Sequence, residues 1–219
     1  NTERRVQRVR QAIRPPGVAM IGRLRNLVRD PAVRWLAGAR AIAILAAPLS
    51  LYFLVTRQPL SARGFYLIAI NVAVLGQLFE TGMGTMVVQF ATRVRPSERG
   101  TLRGAAEQWF MRASVITLAI GGTIGTYVLA RGATMASVDF LVPWAVVLVC
   151  SAAYIRLAPL ICMREGGGDV EGVQRMRAVQ AAAIALATVL GLWSGRGIGA
   201  AAWAAVAQIA IVAIYLFRA

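Results

Sequence analysis

Residues 65–91 read FYLIAINVAVLGQLFETGMGTMVVQFA, and Glu80 is the one charged residue among them. A helix needs about 20 apolar residues to cross a bilayer, and this run exceeds that length. It shows none of the strict alternation of a half-buried strand. Its reading is therefore a membrane-spanning helix. Five further runs share the pattern: Trp35–Val55, Ala113–Ala130, Val138–Ile161, Ala178–Trp193 and Ile198–Phe217. Gln58-Pro59, Arg95-Pro96, Arg131-Gly132, Gly166-Gly167-Gly168 and Ser194-Gly195 fall in the breaks, where turn-forming residues belong. The 219 residues are 58% hydrophobic and 15% charged. Soluble domains are about 45–50% apolar and about 25% charged, and disorder needs low hydrophobicity, so both classes are excluded. The expected fold is all-α and polytopic. A basic segment, 1–34, precedes a six-helix transmembrane lobe, 35–219.

All 24 cations are arginine, histidine is absent, and the net charge is +15. The cations flank apolar runs, so the expected partner is an anionic lipid surface rather than nucleic acid. Their distribution sets an orientation. On one side of the alternating spans lie only Arg57, Arg63, Arg131 and Arg196, and the other twenty lie on the opposite side. Both termini are therefore expected in the cytoplasm. Within 1–34, Val18, Ile21, Leu24 and Val28 form an apolar stripe among arginines, suited to a headgroup layer. No signal-peptide pattern is present there. Asp30-Pro31 reads as an N-cap followed by the first helical position.

Chemistry that needs histidine is ruled out. Cys150 and Cys162 are twelve residues apart in one run, about 18 Å along a helix, too far for a disulfide. No metal-ligand cluster, Walker sequence or cofactor motif occurs, and no enzymatic activity is expected. Gly166-Gly167-Gly168 reads as a turn, with Asp169 capping the next helix. Gly121-Gly122-x-x-Gly125 and Gly82-x-Gly84 read as places where helices approach closely.

Polar groups inside an apolar run are costly and mark candidate sites. At helical spacing Glu80 shares a face with Gln77 and Gly84. It either faces a cavity, as a proton site, substrate contact or counter-ion to arginine, or is buried against a neighbouring helix. Arg40 and Arg156 each lie five residues inside the cytoplasmic ends of their runs. They either snorkel to the headgroups or line one cavity and grip phosphate bidentately. Gln180 and Gln208, within later spans, suit interhelical hydrogen bonds.

Two stretches resemble a known family. Ser61, Gly64-Phe65-Tyr66, Phe79-Glu80, Gly82 and Val88-Gln89-Phe90-Ala91 form one ordered set, and Glu165-Gly166, Gly168, Val170, Val173, Arg177 and Gln180 form the other. Both are similar to bacterial polysaccharide-biosynthesis proteins, including O-antigen and lipid-linked oligosaccharide flippases, of the multidrug/oligosaccharidyl-lipid/polysaccharide exporter superfamily. Ala62-Arg63 stands where that family is acidic, and Thr81 where it has leucine. The resemblance implies a multi-pass transporter of the bacterial inner membrane, moving a lipid-linked pyrophosphate oligosaccharide by alternating access. It implies an amino-terminal lobe, with a second six-span lobe supplied by the rest of a longer chain or by another chain. Arg40, Glu80 and Arg156 would contact substrate, with Gln77, Arg177, Gln180 and Gln208 as supporting polar groups. Two other functions fit the same residues: a multidrug exporter binding cations near Glu80, and a non-transporting scaffold in a polysaccharide-synthesis complex.

Overall fold

A computed structural model describes residues 30–132 and 137–218, apart from the side chains of some helical residues, including 75–81 and 137–139. The described residues contain helices and turns and no strand. Helix α1 is Pro31–Arg57. Helix α2 runs Leu60–Phe79, passes through a π-wound segment Glu80–Gly84 and continues as Thr85–Arg93. Helix α3 begins as Arg99–Ile120, passes a second π segment, Gly121–Gly125, and ends as Thr126–Gly132. Helices α4, α5 and α6 are Ser137–Gly166, Val170–Trp193 and Gly197–Arg218.

Each apolar run lies in one of these helices, but two boundaries move. The third helix starts at Arg99 rather than near residue 113, because its first turns are polar and amphipathic and lie outside the purely apolar stretch. The fifth starts at Val170 rather than 178, because the face carrying Gln174 and Arg177 is polar yet helical. Among the described residues, four helices are long and apolar enough to cross a membrane: Pro31–Arg57, Phe140–Gly166, Val170–Trp193 and Gly197–Arg218. Leu60–Val74 is a shorter apolar helix.

Local chemistry explains the starts. The Asp30 carboxylate accepts the Ala32 N–H at 2.9 Å, and Pro31 occupies the first turn. Asp169 accepts the Gly172 N–H at 3.1 Å, satisfying one of the unpaired donors of α5. Gly168 has φ +110°, a conformation closed to most side chains, and it lets the chain reverse between α4 and α5. The basic segment falls mostly on residues 1–29, outside the described residues.

Packing centres on α4, which touches α2, α3, α5 and α6. Trp144 is 2% exposed, meets Phe65 edge-to-face at 6.2 Å and donates to the Thr126 hydroxyl at 3.2 Å. A Cβ on Gly125 would collide with the Trp144 ring, and one on Gly121 with the Leu148 side chain. The glycines of the second π segment thus admit α4 against α3. Gly82 has open space where its Cβ would be, so close helix packing does not explain that glycine. Helix α1 packs along α5, whereas α2 packs on α4 and α6. The two helices therefore diverge from the turn that joins them.

That turn is fastened by Gln58, which is 3% exposed. Its amide nitrogen donates to the Leu192 carbonyl at the end of α5, and its amide oxygen accepts the Gly197 N–H at the start of α6 at 3.0 Å. Arg63 donates to the Gln58 and Val55 carbonyls at 2.9 and 2.8 Å. One side chain thereby joins both turns at the arginine-poor end. Gln58→Ala leaves a buried carbonyl and a buried N–H unsatisfied, at about 1–3 kcal/mol each. It is expected to lower the thermal midpoint in detergent clearly. An unchanged midpoint would show that the clip is energetically idle.

Candidate functional site

A cleft of about 760 Å³ lies between the diverging α1 and α2 and is backed by α4 and α5. Its volume falls within the range of small-molecule sites, about 300–1,000 Å³. Helix α1 lines it with Arg40, Ala43, Ala47, Ser50 and Leu54, a stripe at three- and four-residue spacing. Helix α5 contributes Gln174, Arg177, Gln180, Ile184 and Thr188 at the same kind of spacing. Tyr66, Ile70, Thr85 and Val88 of α2 and Glu165 of α4 complete the wall.

The charged groups gather toward one end. Glu165 is 15% exposed at its side chain and Arg177 28%. They form a two-pronged ion pair, Nη2 to Oε2 at 3.0 Å and Nη1 to Oε1 at 3.2 Å. Gln174 Nε2 also donates to Glu165 Oε1 at 3.1 Å. The Glu165 carboxylate is thus occupied on both oxygens. Arg40 lines the same cleft and makes no ion pair among the described residues. Farther along, Tyr66 of α2 and Thr188 of α5 both line the cleft. The remaining wall is mostly alanine, leucine, isoleucine and valine, so the cleft has a cationic end and an apolar body.

The expected site residues separate in three dimensions. Arg40, Arg177 and Gln180 come together in the cleft. Arg156 is not among the lining residues. It is exposed on α4, where its guanidinium makes a long 3.4 Å contact with the Glu107 carbonyl of α3. Of the two, Arg40 lines this cleft and Arg156 does not, because equal depth in two helices does not by itself bring their faces together. Gln208 is 7% exposed on α6 and lies outside the cleft wall. The side chains of Gln77 and Glu80 lie outside the described residues. The backbone from Glu80 to Gly84 is π-wound, so the face shared by Gln77, Glu80 and Gly84 cannot be read from 3.6-residue spacing across that segment.

Glu165, Gln174 and Gln58 are the consequential residues that the sequence reading left out of its site. Gln174 and Arg177 are three apart on α5, and Arg40 heads a small-residue stripe on α1. Those spacings signal a shared polar face. Nothing local indicates that Glu165, beside a glycine turn, bonds to residues 9 and 12 positions on.

No family model, curated protein or solved structure matches the chain.

Burial should distinguish the two ion pairs. Arg103–Glu107 is exposed, at 58% and 36%, while Arg177–Glu165 is much less so. A double-mutant cycle on Glu165 and Arg177, each changed to Gln, is expected to give coupling above the ~1 kcal/mol ceiling typical of exposed pairs. The Arg103–Glu107 cycle should stay below it. Equal couplings would mean that the cleft leaves its ion pair as hydrated as the surface one.

Proposed function

We propose that the chain is a six-span lobe of a transporter in the bacterial inner membrane. Its cargo is a lipid-linked, pyrophosphate-bearing oligosaccharide or polysaccharide precursor, passed across by alternating access with a second six-span lobe. The observation that carries this reading is the cleft's composition: an arginine end joined to an apolar body, bounded by two helices that do not pack along their length. An anionic lipid headgroup meets Arg40, which can bind phosphate with two parallel N–H donors. The hydrocarbon chain lies against the α1 and α2 walls and reaches the bilayer between them. In this scheme Arg177 and Glu165 neutralise each other, and Arg40 supplies the net positive charge at that end of the cleft.

Cationic drug export fits this wall less well. The described carboxylate, Glu165, already bonds to Arg177 and Gln174, whereas Arg40 has no acidic partner among the described residues. In the proposed topology α2 and α3 also span, and the arginine-rich ends face the cytoplasm. A cysteine placed at Ser97 should then escape an impermeant reagent applied outside intact cells, after Cys150 and Cys162 are replaced. Labelling from outside would reverse the orientation.

Function is tested by movement of a fluorescent polyprenyl-pyrophosphate sugar across proteoliposomes containing the complete transporter. Arg40→Ala is expected to slow transfer at least tenfold, equivalent to about 1.4 kcal/mol. Arg40→Lys should keep part of the rate, because it retains charge but not the planar fork. Arg156→Ala should remain near the starting rate. Glu80→Gln, at normal protein level, should slow transfer if that carboxylate takes part in the cycle. Unchanged transfer in Arg40→Ala would remove the cleft from the transport route.

A further inference from the structure

We propose that the outer face of α3, with Arg156 of α4 at its edge, is a docking surface for a membrane-spanning partner helix that carries carboxylates at mid-depth. The register between α3 and α4 carries the inference. Toward the arginine-poor end, Thr126 meets Trp144 and Gly121 faces Leu148. Toward the other end, the Glu107 carbonyl meets Arg156, and Ala106 and Phe110 share a buried cluster with Ile155, Ala158 and Cys162. Arg112 lies between these contacts. It is therefore level with the middle of the apolar helix Phe140–Gly166, although its own sequence neighbours are polar.

Phe110 is fully buried in that cluster. Arg112 is two residues on, about 200° round the helix, and is exposed on the side away from the bundle. Gln108 is exposed with it, and Met111, 42% exposed, stands between Arg112 and the flank where Arg156 approaches. Glu107 is already paired with Arg103 at 2.7 Å. Arg112 and Arg156 have no acidic partner among the described residues. A cation turned to lipid at the centre of a span is costly. From the middle of a core about 30 Å thick, the headgroups are about 15 Å away, farther than an arginine side chain extends. Carboxylates on a neighbouring helix remove the deficit. A second copy of this chain brings the same surplus of positive charge and does not. The cleft wall contains no α3 residue, so the surface is separate from the cargo route. The proposal rests on α4 crossing the membrane and not on the cargo.

The probe is a synthetic helix of about 20 leucines and alanines with two glutamates at mid-length, spaced i and i+4 so that they share a face. Control probes carry glutamine or leucine at both positions. Energy transfer from the labelled full chain to each labelled probe is measured in phosphatidylcholine vesicles, where the lipid brings no net charge. The glutamate probe should bind about fivefold more tightly than either control. Arg112→Leu together with Arg156→Leu should erase that preference and leave the leucine probe bound as before. Both positions are exposed, so the thermal midpoint should hold. Arg112→Lys with Arg156→Lys should keep most of the preference, since the charge is retained. Equal binding of the three probes overturns the proposal, as does a preference that survives both leucine changes. Displacement of the glutamate probe by added phosphatidylglycerol would assign the two arginines to lipid headgroups and overturn it as well. Energy transfer between two labelled copies of the chain, abolished by the same leucine changes, would show that a second copy fills the face instead.

Discussion

Helix α1 is held to the bundle along a single neighbour, α5, and the cleft follows from that attachment. Hydrophobic packing against lipid gives no net drive for one helix to join another, because acyl chains are as apolar as leucine. Close contact needs small residues or polar bonds. Helix α1 offers both: small half-buried residues, Ala39 and Ala46, and a cation–π contact in which the Arg175 guanidinium lies 5.9 Å from the Trp35 ring centre. At the opposite end Gln58 ties the α1–α2 turn to the α5–α6 turn. With α1 committed to α5 and α2 committed to α4 and α6, the space between α1 and α2 is left unfilled.

The polar groups of the bundle divide by how completely they are satisfied. Gln58 uses its nitrogen and its oxygen, and both partners are backbone groups at helix ends. Arg164 donates to the Tyr215 and Leu216 carbonyls at 3.3 and 3.1 Å, and Tyr215 donates to Asp169 at 2.6 Å. These bonds close the last turn of α6 against the α4–α5 turn, where a helix end would otherwise leave carbonyls unpaired. The glutamines of the cleft are different, since each leaves an oxygen without a donor. Saturated groups at the two ends brace the helices.

The helical class and the element order were legible because apolar runs and turn residues are local signals. Asp30 and Asp169 cap the helices that their neighbours indicated. The Gly121 and Gly125 approaches were legible for the same reason, since close helix contact demands the smallest residue. The starts of α3 and α5 were not, because a helix keeps its backbone bonds where its side chains become polar. The cleft was half legible. Arg40, Arg177 and Gln180 stand out as polar residues near apolar sequence, but Glu165 becomes part of the site only when α4 and α5 are folded back on each other. Gln58 looked like turn punctuation, and its partners lie 134 and 139 residues away, beyond any local pattern.

Arg40 and Arg156 show why depth alone does not define a membrane site. Arg40 is nine residues into α1 and Arg156 ten residues from the end of α4, roughly 14–15 Å along either axis. Their depths match, yet one lines the cleft and the other faces a carbonyl on α3. The difference is azimuthal. Each residue turns about 100° around a helix, so the face a residue occupies depends on which neighbour its helix has packed against. Helix α1 turns its Ala43–Ala47 stripe into the cleft, and Arg40, three residues before Ala43, is carried to the same cleft. Helix α4 is surrounded by α2, α3 and α6, and Arg156 follows Ile155, which is fully buried; a step of one residue turns it off that core face. A lone arginine within an apolar run thus acquires its role from the stripe around it: small residues at three- and four-residue spacing beside Arg40 signal a wall, and a buried neighbour beside Arg156 signals a core helix with a cation turned outward.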